Sequence, residues 1–455
     1  MKGSDRRTAA ACPCPAARDS LYTPVRIVEL DLDEPSGLRP PGGPGTVDPD
    51  GRVLALVRLH GHPLGLVNAT GTPGDPVGLR RALVDAAHRE LRIPARSDRT
   101  PAGAVFPVAA SPAATSATAT PAVPPGRAGS TRVPAGPPLI SVIVATHNRA
   151  AMLRQCLDSV LRTGYPRLEI IVVDNAPASD AAELLVRGRY AGRIRYLREP
   201  VAGVARAHNL GLAAANGGIV AFADDDTLVD RRWPAEIARA FAEDPGVGCV
   251  TGLILPAELQ TAAQAALQRH GGYDKGFAAQ QWSLKDPPAD PLFPFTAGRF
   301  GSGANMAFRT DLLRALGGFD PSTGTGTPAH GGDDLLAFFR VVANGYALAY
   351  RPGAIVWHRH RSSLKALRAQ VYGYGAGLGA YLTAAAAGEP RLLPALVRRI
   401  PRGLRHAARQ ASGRSGPDGG RSWRLALLEV SGMVYGPVGY LRSLRRTRLY
   451  AKRGE

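Results

Sequence analysis

"LISVIVATHNRAAMLRQCLDSVLR", residues 139–162, opens on seven uncharged residues and then changes period. An unbroken apolar run of this kind is expected of a strand buried on both faces. After the polar break "THNR", Met152, Leu153, Cys156, Leu157, Val160 and Leu161 recur at helical spacing. The same two-part pattern then repeats downstream. "LEIIVVDN" (168–175), "RIRYLRE" (193–199) and "GIVAFADDD" (218–226) read as strands, with helices predicted in "SDAAELLVRGRY" and "GVARAHNLGLAAANG". Strands and helices alternating through short connections predict a mostly parallel sheet with helices on both faces.

In such a sheet, ligands bind outside the carboxyl ends of the strands. Thr146, Asn148, Asp174 and the run Asp224–Asp226 all fall at predicted strand ends. The run raises a problem, because three adjacent carboxylates repel one another. Asp224 and Asp226 stand at i and i+2, so they share a side if strand geometry persists, and Asp225 faces away. A hard divalent cation with oxygen ligands, Mg²⁺ or Mn²⁺, would relieve the repulsion. An acidic turn capping the following segment is the other reading that the triplet allows.

Further along, "RRWPAEIARAFAEDP" reads as a helix and "VGCVTGLIL" as a strand. Residues 256–300 look irregular and suit specificity loops, and "GGDDLLAFFRVVANGY" (331–346) reads as a helix starting at a carboxylate pair. "ALAYRPGAIVWHRHR" (347–361) ends the sheet in a histidine-rich corner. Cys156 and Cys249 sit in apolar segments as small core residues, and four scattered cysteines make no disulfide framework.

Taken in order, "SVIVATHNR", "IIVVDNA", "GVARAHNLGLAAANGGIVAFADDDT" and "GGDDLLAFFRVVANGY" resemble the motifs of the family 2 glycosyltransferases, nucleotide-sugar-dependent inverting enzymes of the GT-A fold. The resemblance runs from 139 to about 381, and its motifs are weak singly and specific together. It implies that Asp174 recognises the nucleotide base with Thr146 and Arg149 in the same pocket, and that Arg206 faces the diphosphate. It also implies that Asp224 reaches the donor's ribose, that Asp226 binds the metal, and that His358 completes the metal shell, with His360 able to substitute. Asn209 would tie its helix to a neighbouring loop. The general base falls to Asp334, with Asp333 standing where the family has Glu, so the choice between the two stays open. "FGSGANMAF" (300–308) resembles the floor of the acceptor pocket, with Asn305 contacting sugar. The partners implied are a UDP-, GDP- or dTDP-linked sugar and a glycan, lipid-linked or small-molecule acceptor.

Outside this segment the chain divides by composition. Residues 1–20 are expected to be disordered, 21–96 to form a small α+β domain, and 97–138 to be a Pro/Ala-rich linker. The catalytic domain is expected at 139–388 and a basic helical region at 389–455. The formal net charge is +19, and residues 361–455 hold 18 Lys/Arg against 4 Asp/Glu. A charge so placed suits an anionic membrane surface or a solvated helical tail packed on the catalytic domain, while no recognition fold for nucleic acid accompanies it. No apolar core follows the basic N-terminus and no stretch suits a membrane span, so a cytoplasmic enzyme, peripheral at the membrane, is expected. Two rival readings are a metal-dependent nucleotidyl- or phosphotransferase and an inactive binding module. The first wants a Gly-rich phosphate loop or a lysine near the donor, which "ATHNRAAML" lacks; the second has no use for a base.

Overall fold

A computed structural model describes residues 24–34, 37–93, 136–271, 273, 275–388, 394, 398 and 419–453. The expected 1–20 tail and nearly all of the expected 97–138 linker lie outside them. The described residues begin with a three-stranded sheet of β1 (Val25–Asp31), β2 (Gly51–Leu59) and β3 (His62–Gly71), packed on α1 (Pro76–Glu90). Then follow β4 (Ile140–Thr146), α2 (Ala150–Leu161), β5 (Leu168–Asn175), α3 (Ala181–Arg189), β6 (Arg195–Glu199), α4 (Val204–Ala214) and β7 (Ile219–Asp224). A tight turn leads to β8 (Thr227–Val229), α5 (Trp233–Glu243), β9 (Val247–Pro256), α6 (Ala262–Gly271) and β10 (Gln280–Trp282). Last come β11 (Asn305–Arg309), α7 (Thr310–Ala315), α8 (Asp333–Ala343), β12 (Ala347–His358), α9 (Leu364–Gly388) and α10 (Gly419–Arg453).

The central sheet has nine strands in the order β10-β12-β9-β11-β7-β4-β5-β6, with β8 paired to β12. By their pairings β4, β5, β6, β7, β9 and β12 run one way, and β8, β10 and β11 run against them. This is the mostly parallel, Rossmann-like sheet expected of a GT-A fold. Alternate residues of each inner strand enter opposite cores, as period-2 geometry requires. Ile143, Ile171, Val173, Val220 and Phe222 meet α4 and α8 on one face, while Val142, Val144, Ile170, Val172 and Ala221 meet α2, α3 and α5 on the other.

Burial outweighs capping in placing these helices. α2 has no side-chain cap at Arg149, a loss of about 1 kcal/mol. Leu153, Leu157 and Val160 are fully buried, and each contributes about 1.5–3 kcal/mol.

Two features of the second half are not read from the sequence. α6 lies in the stretch expected to be irregular. α9, whose "YGYGAGLGA" offers little to hydrocarbon, is a helix-packing surface. Gly375 and Gly379 bring its backbone against α10 at Glu429 and Met433, and Gly432 and Gly436 do the reverse at Tyr372, Ala376 and Gly379. On its other side Gly377 lies against Gly331 and Gly332, where a Cβ would come within 2.9 Å of Gly331. Among the described residues no helix is long and apolar enough to cross a membrane.

Candidate active site

β4, β5, β7 and β12 point their carboxyl ends to one edge, so Thr146, Asp174, Asp224 and His358 collect there. Strand geometry does not continue through the aspartates, as the chain turns at Asp225 and Asp226 and returns as β8. The turn still brings Asp224 and Asp226 together, and β8 pairs Thr227 with His358 on β12. One ligand atom each from Asp224, Asp226 and His358 lies within 4.8 Å of the other two.

The protein supplies part of the charge that the aspartates need. Arg149 Nη1 stands 3.1 Å from Asp225 Oδ1 and 3.0 Å from Asp226 Oδ2. The Thr146 hydroxyl donates to Asp225 Oδ2 at 2.8 Å. Arg361 and His358 approach Asp226 at 3.6 and 3.4 Å. Burial pushes the Asp226 carboxyl up, but the hydrogen bond and charge of His358, then Arg361 and Arg149, hold it at about 2. Asp224 gains no hydrogen bond of this kind, although the charges of His358 and His208 also act to lower it. Burial and then the charge of Asp226 raise it to about 6, and no side-chain hydrogen bond reaches it among the described residues. Two carboxylates and an imidazole, one carboxylate without a donor, fit a hard-to-borderline divalent cation.

The second acidic pair sits at the start of α8. Gly332 takes φ 90°, a left-handed conformation that suits glycine, and aims the two side chains apart. Asp333 is buried, with its Oδ2 3.6 Å from Nδ1 of the buried His208. That nitrogen has no hydrogen-bond partner among the described residues. Asp334 turns the other way and accepts from the Gly303 and Leu335 amides, both at 2.8 Å. Burial first, then Asp333, with Asp224 contributing, raises Asp334 to about 6.

The remaining expected residues divide. Asp174 is buried and accepts from Tyr196 at 2.9 Å, while its Oδ1 has no partner among the described residues. Burial raises its carboxyl. Thr146 pairs with Asp174 across the β4–β5 ladder, yet its hydroxyl, like Arg149, is turned to the aspartate turn rather than into a pocket around Asp174. Arg206 lies over the Tyr450 ring of α10 at 5.2 Å. Asn209 ties α4 to the loop at Phe319 through bonds of 2.7 and 2.8 Å, as expected.

Asn305 needs a correction. It is 1% exposed, accepts from Trp233 Nε1 at 2.8 Å and donates to the Leu253 and Ala354 carbonyls. Its amide joins α5, β9 and β12 inside the core, with both its oxygen and its nitrogen already hydrogen-bonded there.

Sequence reasoning missed Arg361, hidden in a run read as a histidine-rich corner, and a layer behind the histidines. His360 Nδ1 lies 3.2 Å from His358 Nδ1, and its Nε2 lies 2.9 Å from Gln268 of α6. Burial lowers His360 to about 3, so it is neutral. Tyr273 meets the His358 ring edge-on and shares a short hydroxyl contact with Tyr374 of α9.

Residues 141–317 match the profile of the family described as "Glycosyl transferase family 2". The chain is 30% identical over 250 residues to the pre-mycofactocin glycosyltransferase of Mycobacterium tuberculosis, covering 54% of this chain and 48% of that protein. It is also 30% identical over 228 residues to the poly-β-1,6-N-acetyl-D-glucosamine synthase of Staphylococcus epidermidis, covering 48% and 49%. The chain thus spans about half the length of these curated relatives. Among solved structures, a mannosyltransferase from Pyrobaculum calidifontis in complex with GDP-Man and Mn²⁺ aligns with a TM-score of 0.42 at 21% identity, covering 67% of this chain and 88% of that one.

Proposed function

Through residues 141–317 the chain belongs to glycosyl transferase family 2, and on that premise we propose that it is a glycosyltransferase moving a sugar from a nucleoside-diphosphate donor to an acceptor hydroxyl with inversion. The observation that carries this is the convergence of Asp224, Asp226 and His358 at the carboxyl edge of the sheet, with the separate carboxyl of Asp334 tuned to about 6. Those three residues would hold a divalent cation, and their imidazole would favour Mn²⁺ over Mg²⁺. When bound, the cation would supply Lewis-acid stabilisation of the charge left on the departing diphosphate.

Each remaining role belongs to the chain. Asp174, with an unpartnered buried oxygen, accepts from an N–H of the base. Arg149 holds Asp225 and Asp226 in place, and Arg361 adds positive charge beside the diphosphate position. Asp334 takes the acceptor's proton as its oxygen attacks the anomeric carbon, and its two amide donors fix the carboxylate's direction. Asp333, turned back against His208, is the structural member of the pair.

The acceptor is read as one met at a membrane surface. α10 exposes Trp423, Leu427, Val430, Val434, Val438 and Leu441 at three- and four-residue intervals. Arg442, Arg445, Arg446 and Arg448 follow on the same helix. An apolar stripe running into arginines suits an anionic bilayer at the cytoplasmic face. Sedimentation with anionic vesicles, and none with neutral ones, is the expected behaviour.

The activity is tested by incubating the chain with UDP-, GDP- and dTDP-sugars and Mn²⁺. Release of nucleoside diphosphate is expected from one donor class. Release of pyrophosphate instead would favour nucleotidyl transfer.

A further inference from the structure

The short strand β8 connects the aspartate turn to Asp230, and its one ladder partner is β12. The two strands carry Asp226 and His358 at one end. At the other end, the Asp230 amide donates to the Ile355 carbonyl at 3.0 Å. A three-residue ladder exposed at its free edge would be a poor mount for ligands that must keep their places.

That edge is covered by the N-terminal unit. Gly42, at φ +57°, lies so close that a Cβ there would stand 3.1 Å from Leu228 Cβ, 3.4 Å from the Val229 carbonyl and 3.5 Å from Trp357 Cδ1. Arg162 donates to the Gly42 carbonyl at 3.1 Å, and Arg232 to the His60 carbonyl at 2.9 Å. The central fastening is Arg58, on β2. Its Nε donates to Glu29 Oε2 at 2.7 Å and its Nη2 to Asp230 Oδ2 at 2.5 Å. All three side chains are buried, at 4%, 8% and 9% exposure. Glu29 is also tied to Gly42, whose amide donates to Glu29 Oε1 at 3.2 Å. A buried ion triad adds little net stability over an apolar replacement but fixes geometry where every donor is matched.

We propose that residues 24–93 are the back wall of the cation site, with Arg58 as a positioning residue that holds the β8–β12 pair, and therefore Asp226 and His358, at ligand spacing. This rests on the reading that Asp224, Asp226 and His358 bind a divalent cation. Arg58 touches neither cation nor substrate; it acts through Asp230 and the strand between.

The test is a direct Mn²⁺ titration of the full chain by calorimetry, without donor. Arg58→Met alone leaves two buried carboxylates unpaired, so the triple variant Glu29→Gln/Arg58→Met/Asp230→Asn, which removes the charges together, is measured beside it. Both are checked for folding by circular dichroism. The expected result is wild-type binding that Asp226→Ala abolishes, and a loss of Mn²⁺ affinity of about tenfold in the folded triple variant. Arg58→Lys should fall between. Wild-type Mn²⁺ affinity in the folded triple variant overturns the positioning role and leaves the cation site standing. Absence of Mn²⁺ binding by the wild-type chain overturns the cation site, and the positioning role falls with it.

Discussion

The two acidic clusters at the edge of the sheet are built to opposite ends. At Asp224–Asp226 the chain surrounds one carboxylate with Arg149, Arg361 and His358, and Asp226 is held at about 2. At Asp333–Asp334 the outward carboxyl meets only amide donors and a like-charged neighbour, and Asp334 stands at about 6. Asp226 keeps its charge at any physiological pH, which suits a ligand for a cation. Asp334 can take and return a proton near neutrality. Paired carboxyls pushed apart by their surroundings divide into different roles.

Removing each cluster's working member should break this contrast most severely. Asp334→Asn is expected to lower kcat by about 10²–10⁴-fold with Mn²⁺ affinity unchanged, read by steady-state kinetics and calorimetry together. Asp226→Asn should lose Mn²⁺ binding as well as turnover.

A pH profile sharpens it. Because Asp334 acts ionised and its carboxyl is raised, kcat/KM should fall as pH drops through about 6. Asp333→Asn removes the second-largest cause of that elevation, so the acidic limb should move to lower pH while most of the turnover survives. A limb that stays in place would assign it to another group.

Arg149→Met tests the other side at smaller cost. With one guanidinium nitrogen withdrawn from both Asp225 and Asp226, their repulsion is left to Thr146, His358, Arg361 and the cation. A loss of about tenfold in kcat/KM, partly restored by raised Mn²⁺, is expected for a charge-assisted contact at a half-exposed site. His360→Gln should change least, within about threefold, since glutamine keeps an uncharged hydrogen-bonding group behind His358.

How much of this could be read beforehand follows from the range of the interactions. Strand and helix periods are local, so the parallel half of the sheet and its carboxyl-end polar residues were legible. Asp224, Asp226 and His358 were legible through motifs, and Asn209 through its place on the helix after Gly203. The failures are long-range. Asn305 is an amide in a glycine-rich stretch, and nothing near it reveals that Trp233 and two carbonyls occupy it. Arg206 meets Tyr450, and Arg58 meets Asp230, 172 residues away. The resemblance implies a place for Arg149 in the base pocket, and its ion pairs lie instead with Asp225 and Asp226. An uncapped α2, held by its apolar face, leaves it turned to the aspartates.

The glycines of α9 put the C-terminal region in mechanical series with the base. Gly375 and Gly379 let α10 rest on one side of the rod, and Gly377 lets the Gly331–Gly332 turn rest on the other. At these crossings backbone lies directly on backbone. The placement of the turn from which Asp334 is aimed is thereby tied to the placement of α10, through a rod with almost no room between its neighbours.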